Sequence, residues 1–377
     1  MKRHFEIVSV HKWPFSTISA SIGGIACAAY ASTPPRNSLI SLNLRKIVHF
    51  WIGNSSVPKN EIVDGHEISS ICKHILVAFA GIVLLLMSTG RLTAMECIQS
   101  EVLGSIAPAG VDQPSDVAIG PQGRVYLVDG VNNRIVVTDA DGKPQFSFGR
   151  GGGGAGELQH PLGIDISKQG QVFIADTGNH RIQVFDPQGG FLYMFPLKTA
   201  PGEKPAAPVD VLALDRKSYL YISDRDNHKI RVHQQKGALV FEWGGYGEVR
   251  GRFRYPGILA ANQYNQIFVV DVLNTRIQEF DPDGNFINEI GTWGVSPGQL
   301  FRPKGVAVDK AGRVFITDSF MGCVQVFTDL GGFLGVVCAD GTKRNFTTPV
   351  GIAFDAENRL LVVEMRANAI RILKVSE

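Results

Sequence analysis

The sequence predicts an all-β fold, a six-bladed propeller in which each blade is a four-stranded antiparallel sheet, and three observations carry that reading. The first is a repeat: an acidic residue closing an apolar run recurs at Asp129, Asp176, Asp224, Asp271, Asp318 and Glu364, at intervals of 47, 48, 47, 47 and 46 residues, and such a period marks an array of identical supersecondary units. The second is the interior of the unit. Residues 172–175 and 182–185 are short β-branched and aromatic runs bounded by turn-forming Gly, Asn, Asp and Pro, the signature of strands; runs at 164–166 and 191–195 add a strand on either side. The third is glycine, 42 of 377 residues, as expected of a chain that reverses direction many times through tight turns.

The elements follow in order. Blade one spans Pro114 to Gly149, and blade two is the unit just described. Blade three carries its proline one residue early, at Pro208. Blades four and five hold the strand pairs 266–271 with 276–280 and 314–318 with 324–327. Blade six ends after 369–374, one strand short. The missing strand is expected from residues 98–106, so that the two ends of residues 98–377 close the ring and remove the exposed sheet edges.

The recurrent order of a proline, a Gly-Ile-Ala-Val-Asp-like run, a Val-Phe-Ile-Thr-Asp-like run, an asparagine, an Arg-Ile-Gln-Val-Phe-Asp-like run, then Gly and Phe resembles the NHL-repeat family over roughly residues 100–377. The resemblance implies a six-bladed propeller used mostly as a binding platform for proteins, RNA or small ligands. Some related propellers are enzymes, so the fold alone leaves the activity open.

Formal net charge is +2, but residues 1–99 hold 9 Lys and Arg against 5 Asp and Glu, leaving 28 against 30 in the repeats. A near-neutral propeller argues against nucleic acid as partner, which needs a concentrated basic footprint. Residues 1–70 show no helical or strand period. Residues 75–87 are thirteen uninterrupted apolar residues between Lys73 and Arg91, and we read residues 71–91 as a signal peptide or membrane anchor that places the propeller outside the cytoplasm. A signal normally begins a chain, and one seventy residues in suggests that the true translation start lies nearer Val63 or later.

Asp-x-x-Asn-x-Arg/Lys recurs as Asp129/Asn132/Arg134, Asp176/Asn179/Arg181, Asp224/Asn227/Lys229 and Asp271/Asn274/Arg276. It reads as a lock across the turn between the second and third strands rather than as a reactive group. His180 and His228 share one turn slot without a close ligand pair. No cofactor is expected. Asp116 and Asp165, on the innermost strands, are the weak candidates for calcium or another metal at the channel mouth, and they support the alternative function, an extracytoplasmic metal-dependent lyase or lactonase-like hydrolase.

The stronger signal lies in the loops from each outermost strand to the next innermost one. They carry Trp243, Tyr246, Arg250, Arg252, Trp293, Arg302 and Arg344, and aromatic residues with arginine dominate interface centres. The preferred function is therefore a non-enzymatic platform binding a protein or peptide, with a monomeric propeller. Finally, pairing Thr328 with Phe333 places Cys323 opposite Cys338, and an oxidising compartment would let them form a disulfide.

Overall fold

The computed structural model describes residues 96–214, 218–339 and 342–376; the apolar segment 75–87 and the rest of 1–95 lie outside them. After β1 (Cys97–Ile106), the chain forms four separate four-stranded antiparallel sheets. They are β2 (Val117–Ile119), β3 (Val125–Asp129), β4 (Arg134–Thr138) and β5 (Pro144–Phe148); β6 (Ile164–Ile166), β7 (Val172–Asp176), β8 (Arg181–Phe185) and β9 (Phe191–Pro196); β10 (Pro208–Leu214), β11 (Tyr219–Asp224), β12 (Lys229–Gln234) and β13 (Leu239–Gly244); and β14 (Pro256–Ala261), β15 (Ile267–Asp271), β16 (Arg276–Phe280) and β17 (Phe286–Ile290).

The remaining strands are β18 (Pro303–Val308), β19 (Val314–Asp318), β20 (Cys323–Phe327), β21 (Phe333–Ala339), β22 (Thr342–Lys343), β23 (Pro349–Phe354), β24 (Arg359–Glu364) and β25 (Ala369–Val375). They do not form two further separate sheets. With β1 they make a single nine-stranded sheet, ordered β18-β19-β20-β21-β1-β25-β24-β23, with β22 on β21. The length of β1 is the reason. Residues 97–99 run parallel to β21, and after them Ser100 to Ile106 run antiparallel to β25, with Ser100 opposite Val375 and Ile106 opposite Ile370.

The two middle strands of each sheet are apolar runs because neighbouring sheets cover both their faces; β3, β7, β15, β19 and β20 are buried throughout. Five apolar clusters lie between successive sheets, and a sixth packs Phe315 and Val337 against Leu360 and Leu373 within the nine-stranded sheet. One joins Val117, Val125 and Leu127 to Val350, Leu361 and Ile370, so the first sheet packs on the last strands of the chain. The innermost strands β2, β6, β10, β14, β18 and β23 touch in that order, and β23 returns to β2.

The turn locks form, with one change of partner. Asp129, Asp176 and Asp271 accept from Asn132, Asn179 and Asn274, and the Nε–H groups of Arg134, Arg181 and Arg276 donate to the same carboxylates at 2.8, 2.7 and 3.0 Å. In the third sheet Lys229 turns instead to Glu203 and Glu242, and Arg231 takes its place on Asp224 at 2.8 Å. Arg371 does the same for Glu364, at 2.7 Å. Two residues further along a strand is the same face, so the lock survives the loss of arginine from its usual position. Asp318, which has no such arginine, accepts the amides of Phe301, Arg302, Phe320 and Met321.

The expected Cys323–Cys338 disulfide is not present. Cys338 is bonded to Cys97, with Cα atoms 5.5 Å apart, and Cys323 is a buried free thiol. The register behind the expectation holds near the strand centre, where Gln325 faces Val336. What the hairpin alone could not show is that β1 lies along the other edge of β21, pairing Gln99 with Cys338 and bringing Cys97 within reach.

Candidate ligand site at the channel mouth

Each innermost strand is preceded or opened by a proline, at Pro114, Pro161, Pro208, Pro256, Pro303 and Pro349. Proline suits this place because it needs no N–H at the start of a strand. The residues immediately after these prolines, Ser115, Leu162, Val209, Gly257, Lys304 and Val350, all line one cavity of ≈ 360 Å³. The wall is mostly apolar, and Tyr255, Leu273 and Met365 extend it from the turns of the same face.

Two cations reach this cavity, Arg225 and Lys304. Arg225 donates its Nε–H to Asp226 at 2.8 Å. Lys304 has no hydrogen-bond or ion-pair partner among the described residues. Burial, and then the positive charge of Arg302, lower its pKa.

One residue further along, the strands carry Asp116, Gly163, Asp210, Ile258, Gly305 and Gly351. Asp116 and Asp210 face a second cavity of ≈ 260 Å³, further along the same innermost strands and shared with Asp165. Each carboxylate ties its strand to the next. Asp116 Oδ2 accepts the Ile164 amide at 3.1 Å, Asp165 Oδ2 the Ala213 amide at 2.7 Å, and Asp210 Oδ2 the Leu259 amide at 2.8 Å. Glycine next door makes the room: a Cβ on Gly163 would stand 2.3 Å from Asp210 Oδ1, and one on Gly351 2.7 Å from Asp116 Oδ1. Burial raises the pKa of Asp116 to about 7 despite its amide hydrogen bonds, with the charge of Asp165 adding to the rise. Asp210 is raised well above the usual carboxylate range, first by burial and then by Asp116. Among the described residues, no three His, Cys, Asp or Glu side chains are grouped so that they could hold a metal ion.

The predicted loop residues divide. Tyr246 is 67 % exposed and packs edge-on against His228, which also meets Tyr255 on the cavity wall. Trp293 is 71 % exposed and leads, through Phe301 at 6.5 Å, to exposed Phe320. Arg302 is exposed beside this cluster, its amide capped by Asp318. Arg250 is exposed over the Phe286 ring and pairs with Glu289. The others are tied into the framework. Trp243 does not face out: it packs against Phe241, Phe280 and Tyr221 between the third and fourth sheets. The guanidinium of Arg252 donates to the Gly244 carbonyl, and Arg344 donates to the hydroxyl and carbonyl of Ser100 on β1. His180 and His228 share their slot because it is the left-handed residue of the turn, φ 57° in both; the ring Nδ1 of His180 meets the Ala206 carbonyl and that of His228 accepts the Tyr255 amide.

Sequence reasoning missed Lys304, Arg225 and Asp210. Asp210 had a signal, since Pro208-Val209-Asp210 repeats the spacing of Pro114-Ser115-Asp116.

With this geometry, the NHL repeat matches residues 158–185 and 302–327, the second sheet and the fifth set of strands. The chain carries NHL repeats. No curated protein sequence matches it. Among solved structures, a streptogramin B lyase is similar over 74 % of this chain and 98 % of its own, at 14 % identity and a TM-score of 0.54. A virginiamycin B lyase from Staphylococcus aureus is similar over 74 % and 88 %, at 16 % identity and 0.53, and a gluconolactonase from Xanthomonas campestris over 74 % and 89 %, at 16 % and 0.54. At these identities the likeness is one of fold: an all-β propeller of four-stranded antiparallel sheets built on NHL repeats.

Proposed function

We propose that this NHL-repeat propeller is a non-enzymatic platform that binds a peptide or a peptide-like segment of a protein on the face surrounding the Lys304 cavity. The observation that carries the reading is the pair of exposed aromatic groups on the loops and turns, Tyr246 with Tyr255 and Trp293 with Phe320, of which Tyr255 lines an apolar depression. Exposed aromatics cost a monomer solubility and supply most of the energy of an interface when covered. The same reading counts six blades, taking the nine-stranded sheet as two that share β1.

Peptides selected from a random displayed library on the full-length protein test it. Trp293→Ala with Tyr246→Ala is expected to weaken a selected peptide at least about tenfold by calorimetry, the loss of one or more hot-spot side chains; unchanged affinity would overturn the platform.

The reading extends to location. An extracytoplasmic protein, secreted or held by residues 71–91, is supported by the Cys97–Cys338 disulfide, since such bonds persist in oxidising compartments. Mass spectrometry of the mature N-terminus tests the expected start near Val63: any peptide from residues 1–60 would overturn it. The alternative, a metal-dependent lyase or lactonase-like hydrolase, draws on the names of the fold neighbours and on the channel carboxylates. It requires stoichiometric, chelatable metal in the purified protein, and the engagement of each of those carboxylates with backbone amides weighs against it.

A further inference from the structure

We propose that the mouth cavity is a carboxylate receptor, with Lys304 as its cation, that takes the C-terminal residue of the bound peptide: the terminal carboxylate on the ammonium and the last side chain on the apolar wall. The inference rests on the platform reading and goes beyond it by naming what enters the centre. Six equivalent positions converge on this cavity, and five of them are uncharged: Ser115, Leu162, Val209, Gly257 and Val350. Ser115 gives its hydroxyl hydrogen to the Leu162 carbonyl at 2.7 Å. The sixth, Lys304, is half-buried among them with no counter-ion.

An unpaired, partly desolvated cation is costly, and an anion delivered by a ligand removes that cost. The direction of its titration agrees: burial and Arg302 work against the charged amine. Arg225 adds little attraction because Asp226 already answers its charge. Of the two cations on the wall, only Lys304 is uncompensated, and one such charge suits a monoanion. A phosphate dianion would call for a second uncompensated cation or a cluster of backbone amides, and the other cation of the wall, Arg225, is already paired with Asp226. The size fits as well, since ≈ 360 Å³ is near the lower end of the roughly 300–1,000 Å³ of small-ligand sites. A chain end can follow the axis of a ring of strands, whereas an internal segment would have to enter and turn back.

The probes are N-acetyl-phenylalanine and N-acetyl-phenylalanine amide, which share shape and differ in charge, titrated by calorimetry or ligand-observed NMR into the full-length protein. The wild type is expected to prefer the acid at least tenfold. Lys304→Met removes the charge at nearly constant length and is expected to abolish the preference, while Lys304→Arg keeps part of it; if the Met variant does not fold, Lys304→Gln serves the same purpose. Equal binding of acid and amide, or a preference that survives loss of the charge, overturns the proposal. Selected peptides that still depend on Trp293 but are indifferent to Lys304 would overturn the receptor and leave the platform standing.

Discussion

At the scale of single residues, the channel aspartates join structure to pH. Asp116 is buried, and its pKa rises from 3.8 to about 7. A carboxyl group whose folded value lies above its unfolded one stabilises the fold fully below the unfolded value, and that contribution is lost as pH rises through the folded value. The melting temperature is therefore expected to fall between about pH 4 and pH 8, by an amount corresponding to at most about 4 kcal/mol for a shift of this size. Asp210 acts in the same direction and is coupled to Asp116, so the two titrate as a pair. Asp116→Asn keeps an acceptor for the Ile164 amide and removes the charge; it is expected to flatten the slope in melts recorded across that range. A variant with the full wild-type slope would show that this carboxylate does not carry the effect. Asp116 was legible from its position on an innermost strand. Its partner Asp210 was obscured because the third repeat opens one residue early, so the slot comparison failed where the spacing slipped.

At the scale of elements, β1 stands apart from the repeats, and its Cys97 joins β21, 241 residues away in sequence. Closing so long a loop constrains the unfolded chain, and native disulfides typically contribute about 2–4 kcal/mol. Cys97→Ser, or reduction of the wild type, is expected to lower the melting temperature by about 5–10 °C for a domain of this size, whereas Cys323→Ser keeps the bond and should respond to reductant as the wild type does. Equal effects of reductant on wild type and Cys97→Ser would leave the bond no stabilising role. The period of the repeat made the strands legible because every copy restates them. It could not reveal the partner of Cys338, since Cys97 lies outside the repeat and the register of β1 has no second copy to compare.

At the scale of the whole molecule, the propeller was legible because one packing of strands on strands recurs in six apolar clusters, five between sheets and one inside the nine-stranded sheet. The mouth cavity was not. Lys304 looked like a junction residue between the loop ending at Arg302 and the strand run starting at Gly305, and only convergence of six distant strands makes it a wall of the cavity. Trp243 erred the other way, a loop-like aromatic that the third and fourth sheets cover. The geometry of β1 also sets a clock. The strand is made early, but its partner β25 ends at Val375; at about 5–20 residues per second of synthesis, its edge waits some tens of seconds with no second strand to meet. During that wait the first four sheets can assemble blade on blade from local hairpins, while Cys97 remains an unpaired thiol.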